Sequence, residues 1–428
     1  MGDRPARVLI LLAAVASLLP NVLVATGHAS HDARSRRCFG ERATIMGTHG
    51  SDVILGTSGS DVIVAFDGDD EVYGRGGSDA ICSGAGDDVS HGGPGFDAVA
   101  GGEGADHSFG GAGADFVAED HGVLAVADAG SDSSADLYEG GPGDDMIADD
   151  AGADALHGGG GRDTFFGLFP YDPLVVDLAH GRAASVAEVN ALTGIENVIG
   201  SLSTDVIVGD DGPNVLTGLF GSDVVIGNRG ADLLMATVDG DVLDGGDGAA
   251  SDAVFAVVNE PVEADLQEGL MTAGDGQTDR LVGVEDFIGT PRDDVVRGSD
   301  AGNRLYGGTG DDLLAGRAGD DAISGDHPFV PWIDPARWLG LGTLRGEDLL
   351  IGGRGTDALD GGPAHDTCRG GETLRRCESR RGDRARPVAA RANLWDPAPA
   401  FGSWILDALT AASPEDVTPP RWTPRGLR

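Results

Sequence analysis

GTHGSDVIL, GTSGSDVIV, AFDGDDEVY, GRGGSDAIC, SGAGDDVSH, GGPGFDAVA, GGEGADHSF and GGAGADFVA run from Gly47 to Ala118, eight nonapeptides end to end without a slipped residue. Position four is glycine in every one. Position six is aspartate in every one: Asp52, Asp61, Asp70, Asp79, Asp88, Asp97, Asp106 and Asp115. Position eight is aliphatic in six of the eight (Ile54, Ile63, Val72, Ile81, Val99, Val117), with Ser90 and Ser108 as exceptions. A fixed short period dictates architecture, because one unit cannot bury its apolar side alone and must stack on its neighbours.

Each position has a physical reason. Glycines at one, two and four let the backbone take turns that a side chain forbids. Aspartate at six sets a hard anionic oxygen beside turn carbonyls, the ligand type that Ca²⁺ prefers. The next three residues form a short strand, and alternation turns position eight inward. Two nonapeptides then make one coil of a two-sheet solenoid with turns stacked along both edges. The pattern resembles the GGxGxDxUx repeat of the RTX, or haemolysin-type calcium-binding, family. That resemblance implies an all-β fold, a parallel β-roll (right-handed β-solenoid), with each ion between same-side turns two repeats apart and turn carbonyls completing the ligand set.

Energetics point to metal as well. Each repeat orders nine residues around one apolar anchor. Burying that anchor gives roughly 1.5–3 kcal/mol, whereas fixing one backbone residue costs about 1–2 kcal/mol. Stacked aspartates repel one another besides. Calcium binding and folding are therefore expected to be linked.

Outward from this block the phase breaks over Glu119 to Gly130 and resumes with Asp136, Asp145, Asp154 and Asp163 at position six. A non-repeat spacer spans 167–199. Five more repeats over 200–244 carry Asp205, Asn214, Asp223, Asp232 and Asp241; Asn214 keeps an oxygen but loses the charge, so its site is expected to be weaker. The spacer 245–288 repeats the first one: Asp177-Leu178 corresponds to Asp265-Leu266, and Ile195-Glu196 to Val284-Glu285. Glu196 and Glu285 lack a positioned His or second carboxylate for catalysis and are read with edge strands that restart the register. The array 289–324 supplies Asp294, Asn303, Asp312 and Asp321. An aromatic stretch, 325–342, holds Phe329, Trp332 and Trp338, either a binding loop for a glycan or protein or a flap folded on the solenoid flank. The last repeats, 343–378, carry Asp348, Asp357 and Asp366, and GGETLRRCE closes the array with Arg375 where the aspartate belongs.

The termini differ in character. Residues 1–29 read as a secretory signal, with Arg4 and Arg7 before the apolar run Val8 to Leu19 and small residues near Ala29. A lead-in covers 30–46, and 379–428 is an Arg- and Pro-rich tail expected to be disordered, with one amphipathic stretch from Phe401 to Ala412. The four cysteines are expected to pair in an oxidising compartment. Cys368 and Cys377 stand nine apart, both read at position eight, so their sulfurs are expected to meet across the core; Cys38 and Cys82 pair by default.

Composition narrows function. Glycine is 72 of 428 residues and the net charge is −42, which argues against nucleic acid or anionic lipid as partner and for cations. Every basic residue apart from His is Arg, so no Walker A lysine exists. HExxH, GxSxG and CxxC are absent. Repeats and spacers fill Cys38 to Glu378, leaving no room for a separate catalytic domain. The expectation is a secreted, extracellular, non-enzymatic Ca²⁺-binding protein without membrane insertion, acting as a structural, adhesive or binding module. The other readings are a polysaccharide-active enzyme on a solenoid flank and a glycan- or protein-binding module using Trp332 and Trp338.

Overall fold

The computed structural model describes residues 36–380, apart from 120–133, 150–151, 168–172, 187, 238, 247–251, 257, 259, 274–275, 326–346, 363–364, 372 and 378. The signal, the aromatic stretch and the tail thus lie outside the described residues, save Gly325 and the strand Ser379–Arg380. Among the described residues there is no α-helix, only a 3-10 turn at Leu178–His180. Hence none is long and apolar enough to cross a membrane. The fold is a parallel β-roll.

Successive repeats alternate between two sheets. In one, Ile63 lies opposite Ile81, Ile81 opposite Val99, Val99 opposite Val117 and Val117 opposite Ile147. This sheet has sixteen strands, from Ile45–Met46 to Thr373–Arg375. In the other, the inward row runs Ile54, Val72, Ser90, Ser108, Tyr138, Leu156. All of these side chains are buried. Between the sheets the core is built of facing position-eight side chains, and by alternation a second buried apolar cluster, with Val64, Cys82, Ala98, Phe116, Met146 and Phe166, lies on the other face of the sixteen-stranded sheet. Of the two serine exceptions, Ser90 Oγ lies 2.6 Å from Ser83 Oγ, a polar pair inside, whereas Ser108 Oγ is buried without a hydrogen-bond partner among the described residues.

Where the sequence phase breaks at 119–130, the ladder does not. His107–Ala112 pairs in register with Leu137–Pro142, and Phe116–Ala118 with Met146–Asp149.

The spacers depart from the edge-strand expectation. Ala155–Gly160 pairs parallel with Val189–Thr193, which pairs antiparallel with Arg182–Ala184, which pairs antiparallel with Val175–Asp177, which pairs parallel with Val206–Val208. The second spacer repeats this through Thr278–Val282, Leu270–Ala273 and Val262–Asp265, between Val242–Asp244 and Val295–Arg297. A hairpin is inserted inside one sheet, while the opposite sheet passes straight from Thr164–Gly167 through Asn197–Ile199 to Val215–Thr217. Two reversals restore the parallel direction, so no row of backbone donors is left exposed as an edge. Each spacer coil also replaces the six-residue turn by three residues, Gly194 to Glu196 and Gly283 to Glu285.

The C-terminal coil uses the same short turn. Thr373–Arg375 pairs with Ala358–Asp360, which puts Leu374 at position eight and Arg375 at position nine. Arg375 therefore does not stand in for an aspartate, and Cys377 lies beyond the strand rather than across the core. The disulfide Cys368–Cys377 nevertheless forms, with its Cα atoms 5.7 Å apart, and closes the open end of the core. Cys38–Cys82 ties the lead-in to the fourth repeat, and the neighbouring Phe39 packs edge-on against Phe116 at 6.0 Å.

Candidate metal centres

Position-six side chains form two ladders, one along each turn edge. The backbone N–H of each aspartate donates to Oδ1 of the aspartate eighteen residues later: Asp52 to Asp70 (2.6 Å), Asp70 to Asp88 (2.7 Å) and Asp88 to Asp106 (2.8 Å) on one edge. Asp61 to Asp79, Asp79 to Asp97 and Asp97 to Asp115 run along the other, each at 2.8 Å. Where the chain detours, the ladder spans the detour, from Asp106 to Asp136, Asp115 to Asp145 and Asp312 to Asp348. The remaining rungs join Asp136 to Asp154, Asp145 to Asp163, Asp205 to Asp223, Asp223 to Asp241, Asn214 to Asp232, Asp294 to Asp312, Asn303 to Asp321, Asp321 to Asp357 and Asp348 to Asp366.

The second carboxylate oxygen divides these residues into two classes. In turns of GGxGxD type Oδ2 is buried, and at Asp70, Asp79, Asp88, Asp97, Asp115, Asp145, Asp163, Asp223, Asp232 and Asp321 it has no hydrogen-bond partner among the described residues. It points to where a side chain at position one would begin. A Cβ on Gly92 would stand 2.7 Å from Asp97 Oδ2 and 2.4 Å from the carbonyl oxygen of Gly110 in the next coil. On Gly140 the corresponding distances are 2.5 Å to Asp145 Oδ2 and 2.6 Å to the Gly158 oxygen. Glycine at position one thus keeps open a cradle on which a carboxylate and a neighbouring turn carbonyl converge. Positions two and four of the same turns are left-handed, as at Gly93 (φ 114°) and Gly95 (φ 156°). Phe66, Arg75, Leu219, Asn228 and Arg317 keep that conformation at position two although they carry side chains.

Burial is the main force raising these carboxyls, reinforced by neighbouring aspartates and opposed by the backbone N–H. It pushes Asp97 to about 6, Asp88, Asp115, Asp163 and Asp232 to about 7, and Asp145 to about 8. Such a row is stable only with protons or cations on it.

In the second class the turn is closed by its own hydrogen bonds. Position two is Ser, Thr or Asp, and its N–H reaches the position-six side chain: Thr48 to Asp52 (2.6 Å), Thr57 to Asp61 (2.6 Å), Ser201 to Asp205 (2.6 Å), Asp210 to Asn214 (2.9 Å), Thr237 to Asp241 (3.3 Å), Thr290 to Asp294 (2.5 Å) and Ser299 to Asn303 (2.6 Å). The position-two side chain in turn accepts the position-four N–H in several of them, as Thr57 does from Gly59 and Asp210 from Gly212. That local bond replaces the left-handed glycine.

Five ladder members escape the nonapeptide register. Asn190 Oδ1 accepts from Asp154, Glu196 Oε2 from Asp163, Asp252 Oδ1 from Asp232, Asp279 Oδ1 from Asp241, and Glu285 Oε2 from Asp252. Asp252 follows a repeat two residues too long, GGDGAASDAVF, and an aspartate before AVF was its signal. Glu196 and Glu285 end ladders rather than sit with catalytic partners. Asp149, at position one where glycine is usual, is fully buried beside Asp154, Glu188 and Asp136 and accepts from Asn190 Nδ2.

Among the described residues no three His, Cys, Asp or Glu side chains cluster as a metal site. The oxygens instead come in pairs, a carboxylate and a carbonyl from adjacent coils. All donors are hard oxygens and several are buried without a partner; in eight of the ten open turns named above position one is glycine and the cradle stays clear of a Cβ, while Ala65 and Ser83 hold that position at Asp70 and Asp88, so the open turns fit Ca²⁺. A family model of the RTX calcium-binding nonapeptide repeat matches residues 46–81, 83–117, 129–168, 199–234, 288–326 and 343–372, together half of the chain. No curated protein matches.

Proposed function

Because the chain belongs to the RTX calcium-binding nonapeptide repeat family, whose repeats bind Ca²⁺, we propose that it is a secreted, non-enzymatic module that winds into its roll as calcium loads the two turn edges. The observation that carries this reading is the row of buried, unpartnered Oδ2 atoms facing turn carbonyls. Without a cation those carboxylates repel one another along each stacked turn edge. A millimolar-calcium exterior supplies the cation, and the apolar run after Arg4 and Arg7 supplies the route out. Outside the cell the loaded roll would serve as a rigid structural or adhesive element. Its functional residues in this reading are the open-turn aspartates. Far-UV circular dichroism of the mature chain tests it: β signal should rise cooperatively with Ca²⁺ and not with Mg²⁺, which demands a small octahedral shell. A spectrum indifferent to calcium would overturn the reading.

A further inference from the structure

Six of the seven closed turns are not scattered: each of the three long arrays opens with two of them, one on either edge, making one complete coil, Asp52 with Asp61, Asp205 with Asn214, and Asp294 with Asn303, while the seventh, Thr237 with Asp241, ends the second array. We propose that these opening coils are wound without calcium, and that each array loads its ions onto a seed already in place. The inference rests on the calcium reading above and goes beyond it by naming the coils that the cation does not hold.

Protein N–H groups do there what a cation does elsewhere. At the second and third arrays the preceding coil ends in the three-residue turn, which presents a carbonyl where an ordinary turn presents an N–H. An aspartate would set acceptor against acceptor. Asn214 Nδ2 instead donates to the Glu196 carbonyl at 2.7 Å, and Asn303 Nδ2 donates to the Glu285 carbonyl at 2.7 Å. One residue on, Val215 N–H donates to Asn197 Oδ1 (3.0 Å) and Arg304 N–H to Asp286 Oδ1 (2.9 Å). From the next coil, Asn228 Nδ2 takes the Gly209 carbonyl at 2.7 Å and Arg317 Nη1 the Gly298 carbonyl at 2.8 Å. Both are position-one carbonyls. The same three devices recur in both copies of the spacer, with Asn197 in one and Asp286 in the other at the second, and Asn228 and Arg317 at the last.

The core beneath is apolar as well. The first spacer packs Leu174, Val176, Leu178, Leu192, Ile195 and Val198 under its opening coil, all buried. Burial and satisfied hydrogen bonds are thus in place before any ion arrives. The first array has no spacer below it; there the lead-in strand pairs with the opening coil, Ile45 opposite Ile63 and Met46 opposite Val64, and the Cys38–Cys82 disulfide ties the lead-in to the coil after it.

Hydrogen exchange on the full mature chain in EDTA is the test. Peptides covering 201–217 and 290–306 should exchange at least tenfold more slowly than peptides covering 70–118, in line with hydrogen bonds that need no ion. Asn303→Asp should erase about tenfold of that protection over 290–306 and leave 201–217 unchanged, an internal control that the chain is otherwise intact. Equal, fast exchange in all three regions would overturn the seed, as would a variant indistinguishable from the parent. Added calcium reports separately: if 70–118 gains no protection, the calcium reading fails, whatever the opening coils show.

Discussion

At the scale of one residue, the aspartate at position six does two jobs with two oxygens. Oδ1 caps the N–H of the previous coil, a bond that any carboxylate or amide can make. Oδ2 is the oxygen that needs a cation. Asp97→Asn separates the two. The amide keeps Oδ1 for Asp79 N–H and turns an N–H toward the Gly110 carbonyl that borders the same cradle. In EDTA the substitution should stabilise the roll, because it removes a buried charge and satisfies a carbonyl. In calcium it should destabilise by a comparable ~1–2 kcal/mol through a lost ligand. Paired urea melts with and without calcium measure both signs, and a loss in both conditions would mean that Oδ2 faces no cation. The chain already uses this exchange at Asn214 and Asn303.

At the scale of the element, the spacer hairpin is held to the array by Arg317. Its guanidinium bridges Asp265 with bonds of 2.7 and 2.6 Å while also bonding the Gly298 carbonyl. Burial pushes the Asp265 carboxyl up, but the Arg317 hydrogen bonds and charge hold it below the usual range. Arg317→Met should therefore cost about 1–2 kcal/mol of calcium-loaded stability, allowing for partial exposure. Arg317→Lys should recover only part, since an ammonium cannot span both oxygens. Calorimetry in excess calcium gives the answer; a neutral Arg317→Met would show the hairpin to be held by its apolar face alone. This contact also marks where the sequence ceases to be legible. The nonapeptide phase placed every ladder aspartate from Asp52 to Asp115, and the fold with them, because one residue type recurs at one spacing. The spacers share VxVDL- and GIENxIG-like segments but no period, so their antiparallel insertion depends on pairing across separations as long as that of Val242 and Arg280. The nonapeptide count passes over Asp252 and sets Cys377 at position eight for a single reason: a two-residue insertion and a three-residue deletion each shift the count without shifting the strand. Closed turns were written in plain view as Ser, Thr or Asp at position two, but the sorting variable was not the aspartate itself.

At the scale of the molecule, the net charge is −42 and the ladder carboxylates are stacked along two parallel edges, so folding, calcium and protons form one linked system. Burial raises the open-turn carboxyls to about 6 for Asp97 and about 8 for Asp145, above the roughly 3.9 of an unfolded aspartate. The calcium-free folded chain therefore binds more protons than the unfolded one throughout that interval. Its proton-linked stability is fully present below the unfolded value and is lost as pH rises through the folded values. Calcium reverses the sense, since it binds the ionised carboxylates and must displace any protons. Two measurements on the same preparation follow from this. In calcium-stripped buffer, β signal should be larger near pH 5 than near pH 8. The calcium concentration at the folding midpoint should be higher near pH 6 than near pH 8. An apo spectrum with less β signal at the lower pH would mean that the buried carboxylates are not what keeps the calcium-free chain from winding.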